Sequence, residues 1–210
     1  MRRVLIVDDH EVVRDGVRRL LEEQTAPMVF GEAGTPEEAV RSALANDWDA
    51  VVLDLSFGGK SGLEVLKELK QIRPRLPVLV LTMHSEEQYA RRAFKAGAAG
   101  FITKDSPRAE LCKAIHKVME GGKYLSPALA ERLVVDLERG DERPPAETLS
   151  DREFQVMRLI ASGKTLSEIA GLLSLSDKTI STYRTRLMEK MRMRTNAELT
   201  HYAIQNKLVD

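Results

Sequence analysis

The sequence is poor in cysteine and has no long apolar run, no internal repeat and no low-complexity tract. Its single cysteine, Cys112, excludes an internal disulfide, which predicts a reducing compartment such as the cytoplasm. No stretch approaches the ~18 consecutive apolar residues of a membrane-spanning helix, so no membrane partner is expected. The pattern G-x-G-x-x-G is missing after the first apolar run, which weighs against a nucleotide-binding oxidoreductase.

The composition is that of a folded globular protein with room for two domains. Of its 210 residues, 43% are hydrophobic and 30% are charged, which excludes disordered and collagen-like chains. The net charge is zero, but residues 151–210 hold 10 basic and 7 acidic residues. Six of these basic residues lie within 178–194, and such a cluster is a hint of a polyanionic partner.

Short apolar runs alternate with helical patterns over the first 120 residues. The runs lie at residues 4–7, 28–30, 50–53, 78–81 and 100–102. This alternation predicts an α/β fold, in which helices cover both faces of a doubly wound, five-stranded parallel sheet. We therefore expect a first domain at residues 1–120.

The remainder of the chain shows no strand pattern. Residues 121–147 are predicted to be a linker containing a helix, and the charged, proline-rich stretch 138–148 is predicted to be exposed. Residues 148–210 are predicted to form a small all-α domain of four helices. The predicted helix starts carry capping residues at Ser150 with Glu153, Thr165 with Glu168, Ser176, and Thr195 with Glu198. Only Ser174-Leu175 separates the second helix from the third, which is typical of a helix-turn-helix.

Polar residues follow the apolar runs of the first domain. They are Asp8 and Asp9 after the first run, Asp54 after the third, Thr82 in the fourth strand and Lys104 after the fifth. Strand ends of an open parallel sheet meet at one edge, where ligands bind. Three carboxylates brought together there would repel one another. Mg²⁺, which prefers carboxylate oxygens and water, would resolve that repulsion together with Lys104.

Phosphoryl transfer is the chemistry that this set of residues predicts. Asp54 would be the nucleophile and would become an acyl phosphate. Lys104 and Mg²⁺ would neutralise the developing charge, and Thr82 would donate its hydroxyl to a phosphoryl oxygen. A helix cap or a surface acid is a simpler explanation for one strand-end aspartate, but it does not explain the whole set.

Four motifs of the first domain resemble those of a receiver domain. "VLIVDDHEVVRDGV" is similar to the strand and helix that carry the acidic pair, and "VVLDLS" is similar to the phosphoacceptor strand. "VLVLTMH" and "AGAAGFITKD" are similar to the strands that carry the threonine and the lysine. Over nearly all 210 residues, the chain resembles a two-domain bacterial response regulator of the NarL/FixJ family.

The resemblance implies a role for each matching residue of the first domain. Asp8 and Asp9 would be the metal-binding pair, with Asp54 as phosphoacceptor and metal ligand. Ser56 would offer its backbone carbonyl to the metal, and Phe101 would join Thr82 as a residue of the switch. The chain departs from the family pattern after the phosphoacceptor, where Phe57-Gly58 stands in place of the usual Met-Pro. Glycine loosens a turn that proline would stiffen, but this change removes no ligand.

The end of the chain resembles the LuxR-type helix-turn-helix of the same family, from "LSDREFQVMRLIASGKT" onward. In its third helix, Ile180, Tyr183, Leu187 and Met191 form a stripe that faces the core. The polar face opposite would meet DNA, with hydroxyls at base edges and basic groups at phosphates. The DNA-binding residues would be Lys178, Thr179, Ser181, Thr182, Arg184, Thr185, Arg186 and Lys190.

The sequence leaves two hypotheses for the function of the whole chain. In the first, the protein is a DNA-binding transcription regulator that a sensor histidine kinase phosphorylates and that dimerises when phosphorylated or DNA-bound. In the second, it is an aspartyl-phosphate phosphatase or phosphotransferase, which usually needs a second acid two residues after the nucleophile. Ser56 occupies that place, so the second reading is disfavoured. A variant of the first would keep DNA binding but use the first domain only for dimerisation.

Overall fold

A computed structural model describes residues 1–24, 27–57, 61–83, 87–127, 129–131, 134, 145–206 and 208–209. The chain divides into two compact units, Met1–Val135 and Asp136–Asp210. Within the described residues, no helix is long and apolar enough to cross a membrane. The domain boundaries inferred from sequence, at 120 and 148, remain a prediction.

The first unit is a parallel sheet with a helix between successive strands over most of its length. The strands are β1 (Arg2–Val7), β2 (Met28–Ala33), β3 (Ala50–Leu53), β4 (Val78–Thr82), β5 (Gly100–Thr103) and β6 (Tyr124–Leu125). The helices are α1 (Glu11–Gln24), α2 (Pro36–Ala45), α3 (Gly62–Ile72), α4 (Glu87–Lys95) and α5 (Arg108–Met119). The predicted doubly wound α/β fold is confirmed.

The strand order is β2-β1-β3-β4-β5-β6, and every pairing is parallel. The predicted count of five strands is wrong by one, because Tyr124–Leu125 adds a short strand beside β5. The chain leaves β1 toward β2 and later returns to its other side as β3. Strand order therefore reverses between β1 and β3, which is where ligands of such sheets bind.

The central strands are buried on both faces because helices cover the sheet on each side. All residues of β3 and β4 are buried, and so are the last four residues of β1. Such strands consist of nearly continuous apolar runs, which is how the sequence revealed them. β2 lies at one edge and is only partly buried. On one side of the sheet, α1 and α5 contribute Val17, Leu21, Leu111 and Ile115 to the core.

The segment after β6 is only partly described. Ala130 donates its backbone N–H to the carbonyl of Ser126 at 2.9 Å, and residues 129–131 are helical, in agreement with the predicted helix. Leu133, Leu137 and residues 138–144 of that prediction lie outside the described residues. Pro145–Thr148 forms a 3₁₀ helix in which Ala146 is buried. The prediction that residues 138–148 are exposed is therefore wrong for Ala146.

The second unit contains the four predicted helices. They are α6 (Asp151–Ala161), α7 (Leu166–Leu173), α8 (Asp177–Met191) and α9 (Asn196–Gln205). Reciprocal capping boxes begin α6 at Ser150 and α7 at Thr165. Thr195 caps α9, but its partner Glu198 accepts from the backbone N–H of Arg194 instead, at 2.7 Å.

Candidate functional site

The ends of β1 and β3 place two aspartates side by side. Val7 pairs with Leu53 in the parallel register, and the backbone N–H of Asp54 donates to the carbonyl of Val7 at 2.9 Å. Asp8 and Asp54 are therefore the first residues beyond two neighbouring strands. Both are buried, with 2% of their surface exposed. Burying a carboxylate costs free energy unless a partner of opposite charge compensates it.

Lys104 provides that partner for both aspartates. Its Nζ lies 2.7 Å from Asp8 Oδ2 and 2.8 Å from Asp54 Oδ2. The backbone positions it, because the N–H of Lys104 donates to the carbonyl of Thr82 at 2.8 Å. Three of the strand-end residues predicted from sequence are thus joined by hydrogen bonds at one edge of the sheet.

The pKa values of Asp54 and Lys104 are both shifted, and their surroundings explain the direction of each shift. Burial raises the pKa of Asp54 above its ordinary value, and Asp8 adds to that effect, while Lys104 opposes it. Burial alone would lower the pKa of Lys104, but its hydrogen bonds to Asp54 and Asp8 outweigh burial and raise that pKa. The ammonium group is therefore held as a cation beside the two carboxylates.

Thr82, Ser56 and Phe101 were also predicted to belong to this site, and they lie on β4, after β3 and on β5, respectively. Thr82 is the last residue of β4 and is fully buried. Ser56 follows Asp54 by two residues, is partly buried, and donates its backbone N–H to the Asp54 carboxylate. Phe101 lies on β5 and is 1% exposed. Its side chain is buried in this structure, and its role with Thr82 in a switch stays a prediction.

The donor atoms at this edge fit Mg²⁺. One ligand atom from each of three consecutive residues, Asp8, Asp9 and His10, lies within 4.8 Å of the other two. Lys104 Nζ in turn contacts both Asp8 and Asp54. Three carboxylates against one ammonium leave an excess of negative charge, and carboxylate oxygens are the ligands of hard divalent cations. His10 was not among the predicted residues. Its Nδ1 lies 2.8 Å from Asp9 Oδ1, so it orients that carboxylate.

Arg14 is a further residue that supports this site and was not predicted from the sequence. Its Nη1 donates to the backbone carbonyl of Asp8 at 2.8 Å, and its Nε donates to Glu32 Oε2 at 3.1 Å. Arg14 thereby ties the turn that holds the acidic pair to the end of β2. One signal was available, since Arg14 falls one helical turn after His10 on the helix that follows the acidic pair.

The second unit presents α8 with one buried and one exposed face. Ile180 and Leu187 are fully buried, Met191 is buried and Tyr183 is partly buried, as the predicted stripe requires. Ser176 begins the helix by accepting the backbone N–H of Thr179 at 3.1 Å. The residues opposite the stripe are exposed, namely Lys178, Ser181, Thr182, Thr185 and Glu189.

The hydroxyl groups of the two exposed threonines of α8 donate hydrogen bonds to the helix backbone, so their protons are already engaged. Thr182 Oγ1 donates to the carbonyl of Lys178 at 2.9 Å, and Thr185 Oγ1 donates to that of Ser181 at 3.1 Å. Each hydroxyl therefore presents outward only acceptor lone pairs, next to a methyl group. Thr179 is turned toward Ser176, whose Oγ lies 2.8 Å from Thr179 Oγ1.

The four basic residues predicted on α8 differ in their surroundings. Within the described part of the chain, the charged groups of Lys178 and Arg186 have no hydrogen-bond or ion-pair partner, and both residues are exposed. Arg184 Nε donates to Asn196 Oδ1 at 2.9 Å, and Lys190 Nζ donates to the buried carboxylate of Glu153 at 2.6 Å. Lys178 and Arg186 are thus free for an external anion, whereas Lys190 is engaged inside the unit.

Two protein-family models match the chain, one in each unit. The model described as "Response regulator receiver domain" matches residues 4–116. The model described as "Bacterial regulatory proteins, luxR family" matches residues 147–203. The first match contains all the strand-end residues described above, and the second contains α6, α7, α8 and most of α9.

Similar proteins match over the full length of the chain. Response regulator UvrY of Escherichia coli K12 is 36% identical over 209 residues, which cover 99% of this chain and 96% of UvrY. Response regulator GacA of Pseudomonas aeruginosa is 35% identical over 211 residues, which cover 100% of this chain and 99% of GacA.

Solved structures of RcsB, a response regulator of Salmonella, are similar to the whole fold. One reaches a TM-score of 0.72 at 28% identity and covers 98% of this chain and 99% of RcsB. Another, of RcsB bound to promoter rprA with the phosphomimetic BeF₃⁻, reaches 0.67 at 26% identity and covers 96% and 97%. The chain therefore belongs to the NarL/FixJ family of response regulators, which are DNA-binding regulators of two-component systems.

Proposed function

We propose that this protein controls transcription through Mg²⁺-dependent phosphorylation of Asp54. The observation that carries this proposal is the contact of Lys104 with both Asp8 and Asp54 at the point where strand order reverses. The contact supports Asp54 as the phosphoacceptor because Asp54 is a buried carboxylate outside the acidic pair, and Lys104 joins it to Asp8 of that pair. A sensor histidine kinase would be the physiological phosphodonor, and this protein would meet its DNA partner in the cytoplasm.

In the reaction, a carboxylate oxygen of Asp54 forms a new bond to phosphorus. The bond from phosphorus to the donor, a histidine nitrogen or the oxygen of a small acyl phosphate, breaks and leaves its electron pair on the donor. Lys104 already touches the attacking carboxylate, so its charge is in place when negative charge develops on the phosphoryl oxygens. Thr82 would donate its hydroxyl to one of those oxygens.

Asp8, Asp9, Asp54 and the backbone carbonyl of Ser56 would hold Mg²⁺, which supplies further positive charge beside the phosphoryl group when bound. The only reaction that we assign to the chain is this transfer to its own Asp54 and the later hydrolysis of the phosphate. Ser56 stands where a phosphatase would carry its general acid, and none of the described residues of the site favours turnover of an external substrate.

Labelling with a small acyl phosphate tests the proposal. With Mg²⁺ present, we expect the protein to gain one phosphoryl group, measured as intact mass, and Asp54→Asn to gain none. Chelation of the metal, or Asp9→Ala, should also abolish labelling.

Asp105→Asn is a matched control for that experiment, because Asp105 is an exposed aspartate one residue beyond Lys104. It should be labelled like the unchanged protein. Undiminished labelling of Asp54→Asn would remove Asp54 from the role of phosphoacceptor.

For the second unit, we propose that α8 lies in the major groove of DNA. Exposed Ser181, Thr182 and Thr185 would face base edges, and Lys178 and Arg186 would reach phosphates. The threonine hydroxyls, as they are held, suit amino groups of adenine or cytosine, and their methyl groups suit the methyl of thymine. Lys190, which was predicted to reach phosphate, is better explained as a support for α8.

A further inference from the structure

Three arginines surround a surface pocket just beyond the outward face of α8. The pocket has a volume of about 450 Å³ and is lined by Arg184, Arg192 and Arg194, together with Glu189 and neighbouring residues. We call this group of three arginines the arginine pocket. Arg192 and Arg194 lie in the turn between α8 and α9 and are not among the residues assigned to DNA above.

The charges of this pocket are largely unused by the protein itself. Arg192 and Arg194 are exposed, and their guanidinium groups have no hydrogen-bond or ion-pair partner among the described residues. Arg184 Nε is held by Asn196, which fixes the plane of its guanidinium group at the pocket wall. Glu189 also lines the pocket and forms no ion pair within the described chain. Three cations and one anion thus leave a net positive site that faces solvent.

Arg192 adopts a backbone conformation that is unfavourable for arginine. Its φ and ψ are 55° and 38°, in the left-handed region, where it ends α8. Glycine or asparagine ordinarily occupies such a position because other side chains crowd the backbone there. A basic residue near a helix C-terminus interacts favourably with the helix dipole, but it can do so from the last helical turn without this strain. This conformation ends α8, as that of Ser174 ends α7, and it leaves the charged side chain of Arg192 exposed just beyond the helix.

We infer that the arginine pocket binds a phosphate of the DNA backbone at the C-terminal end of α8. This inference rests on the proposed insertion of α8 into DNA and adds a contact beyond that helix. α8 has 15 residues and is roughly 22 Å long. A helix of that length extends past the rims of a major groove about 12 Å wide. Its ends can therefore meet the backbone, where the planar fork of arginine suits phosphate oxygens.

The test measures DNA affinity of the full-length protein over a salt series, with and without acyl phosphate. One duplex is selected by the unchanged protein from genomic fragments, and the other is a scrambled version. We expect Arg192→Asn and Arg194→Gln each to lower the salt slope by about one unit on both duplexes. The preference for the selected duplex should stay the same. Arg75→Gln removes an exposed arginine of the first unit and should change neither quantity.

Two further variants, together with the thermal midpoint of Arg192→Asn, separate binding from stability. Arg192→Asn should raise the thermal midpoint while it weakens DNA binding, because asparagine tolerates the left-handed conformation. Arg192→Lys keeps both the charge and the strain, so it should retain the salt slope and the thermal midpoint. Glu189→Gln removes the one negative charge of the pocket and should tighten binding to both duplexes.

Three outcomes would contradict the phosphate site, and they can be told apart. Normal binding by the unchanged protein, with unaltered salt slopes in Arg192→Asn and Arg194→Gln, would overturn the phosphate site alone. A changed preference between the two duplexes would move these arginines to base edges and would also contradict the inference. Failure of the unchanged protein to bind any duplex would overturn the proposed DNA binding, and this site with it.

Discussion

At the scale of single residues, Gly62 decides how closely α3 approaches the phosphoacceptor loop. A Cβ at this position would lie 2.3 Å from Leu55 Cα and 2.7 Å from the carbonyl oxygen of Asp54. The backbone N–H of Gly62 donates to the carbonyl of Leu55 at 3.2 Å. The first residue of α3 is therefore packed directly against the segment that carries Asp54, and this contact leaves no space for a side chain.

Gly62→Ala should disturb both the fold and the site. We expect a loss of about 1–3 kcal/mol in the free energy of unfolding, because the backbone beside Asp54 has to shift. Labelling by acyl phosphate should slow as well. Urea unfolding can be followed by the fluorescence of Trp48, the only tryptophan, which lies in the same unit.

Gly16→Ala is the control for this change, since Gly16 lies in α1 with nothing within 4 Å of its added Cβ. It should stabilise the unit by roughly 0.5–1 kcal/mol, the usual effect of alanine in a helix, with normal labelling. Equal stability of the two variants would show that α3 can move away at little cost.

At the scale of secondary-structure elements, one ion pair connects the first and third helices of the second unit. Glu153 of α6 is 3% exposed, and its carboxylate accepts both the backbone N–H of Ser150 and the ammonium of Lys190 on α8. Burial alone would raise the pKa of Glu153, but the hydrogen bonds from Lys190 and Ser150 outweigh it and lower that pKa. The pair therefore stabilises the folded unit only while Glu153 is ionised.

This linkage predicts a dependence on pH with a definite sign. Since the folded state lowers the pKa of Glu153, its contribution is complete above the ordinary glutamate pKa of about 4.3. It is lost as pH falls through the lower pKa of the folded state. Glu153→Gln should cost about 1–2 kcal/mol near pH 7, because Lys190 is half-exposed and can return to water, and little in acid.

Hydrogen exchange of the α8 amides in the full chain, expressed as opening free energies at several pH values, measures that difference. In a Lys190→Gln background, Glu153→Gln should have a smaller effect, because the partner is already gone. A cost that is the same at all pH values would assign the effect to packing instead.

Much of the fold was predictable from sequence because its signals are local. An apolar run followed by Asp54 indicates a buried strand with a carboxylate at its end, and Ser150 with Glu153 indicates a helix start. β6 has only two residues, too few to show a period, and forms because Tyr124 N–H donates to the distant carbonyl of Ala99. The ion pair of Lys190 with Glu153 was not predicted, because the two residues lie 37 positions apart in the sequence.

The 3₁₀ helix before α6 escaped prediction for the same reason. Its proline-rich sequence is typical of a linker, yet Ala146 is buried and its N–H donates to the hydroxyl of Tyr202 at 3.4 Å. Tyr202 lies on α9, at the other end of the unit in sequence. Local composition cannot reveal a contact of that kind.

At the scale of the whole molecule, net charge gives the protein no general attraction for DNA. The chain is neutral, and residues 151–210 carry only +3. Binding must then come from the local basic surface of α8 and from the number of such surfaces that engage together. When two copies are joined, the second contact becomes intramolecular, with an effective concentration on the order of millimolar. The dimer therefore binds DNA much more tightly than one copy does, and the apparent DNA affinity rises in proportion to the dimer population.

We expect phosphorylation of Asp54 to act through this dimer. A new charge of about −1.5 to −2 at a buried site has to be accommodated by Thr82, Lys104 and their surroundings. Moving a two-state equilibrium from 1:99 to 99:1 takes roughly 5.5 kcal/mol of differential binding, so we expect only a partial shift toward dimers. Sedimentation equilibrium with and without acyl phosphate measures the shift, and Asp54→Asn should show none.

On DNA, the dimer should protect two half-sites about 10 base pairs apart, centre to centre, because each α8 occupies one major groove on the same side of the duplex. The decisive comparison is made at protein concentrations where the phosphodonor changes DNA affinity. If the sedimenting mass stays the same there, dimerisation is not the switch, and release of the second unit by the first becomes the explanation to test. If mass and affinity rise together, and neither rises in Asp54→Asn, then the charge at Asp54 controls the valency with which α8 meets DNA.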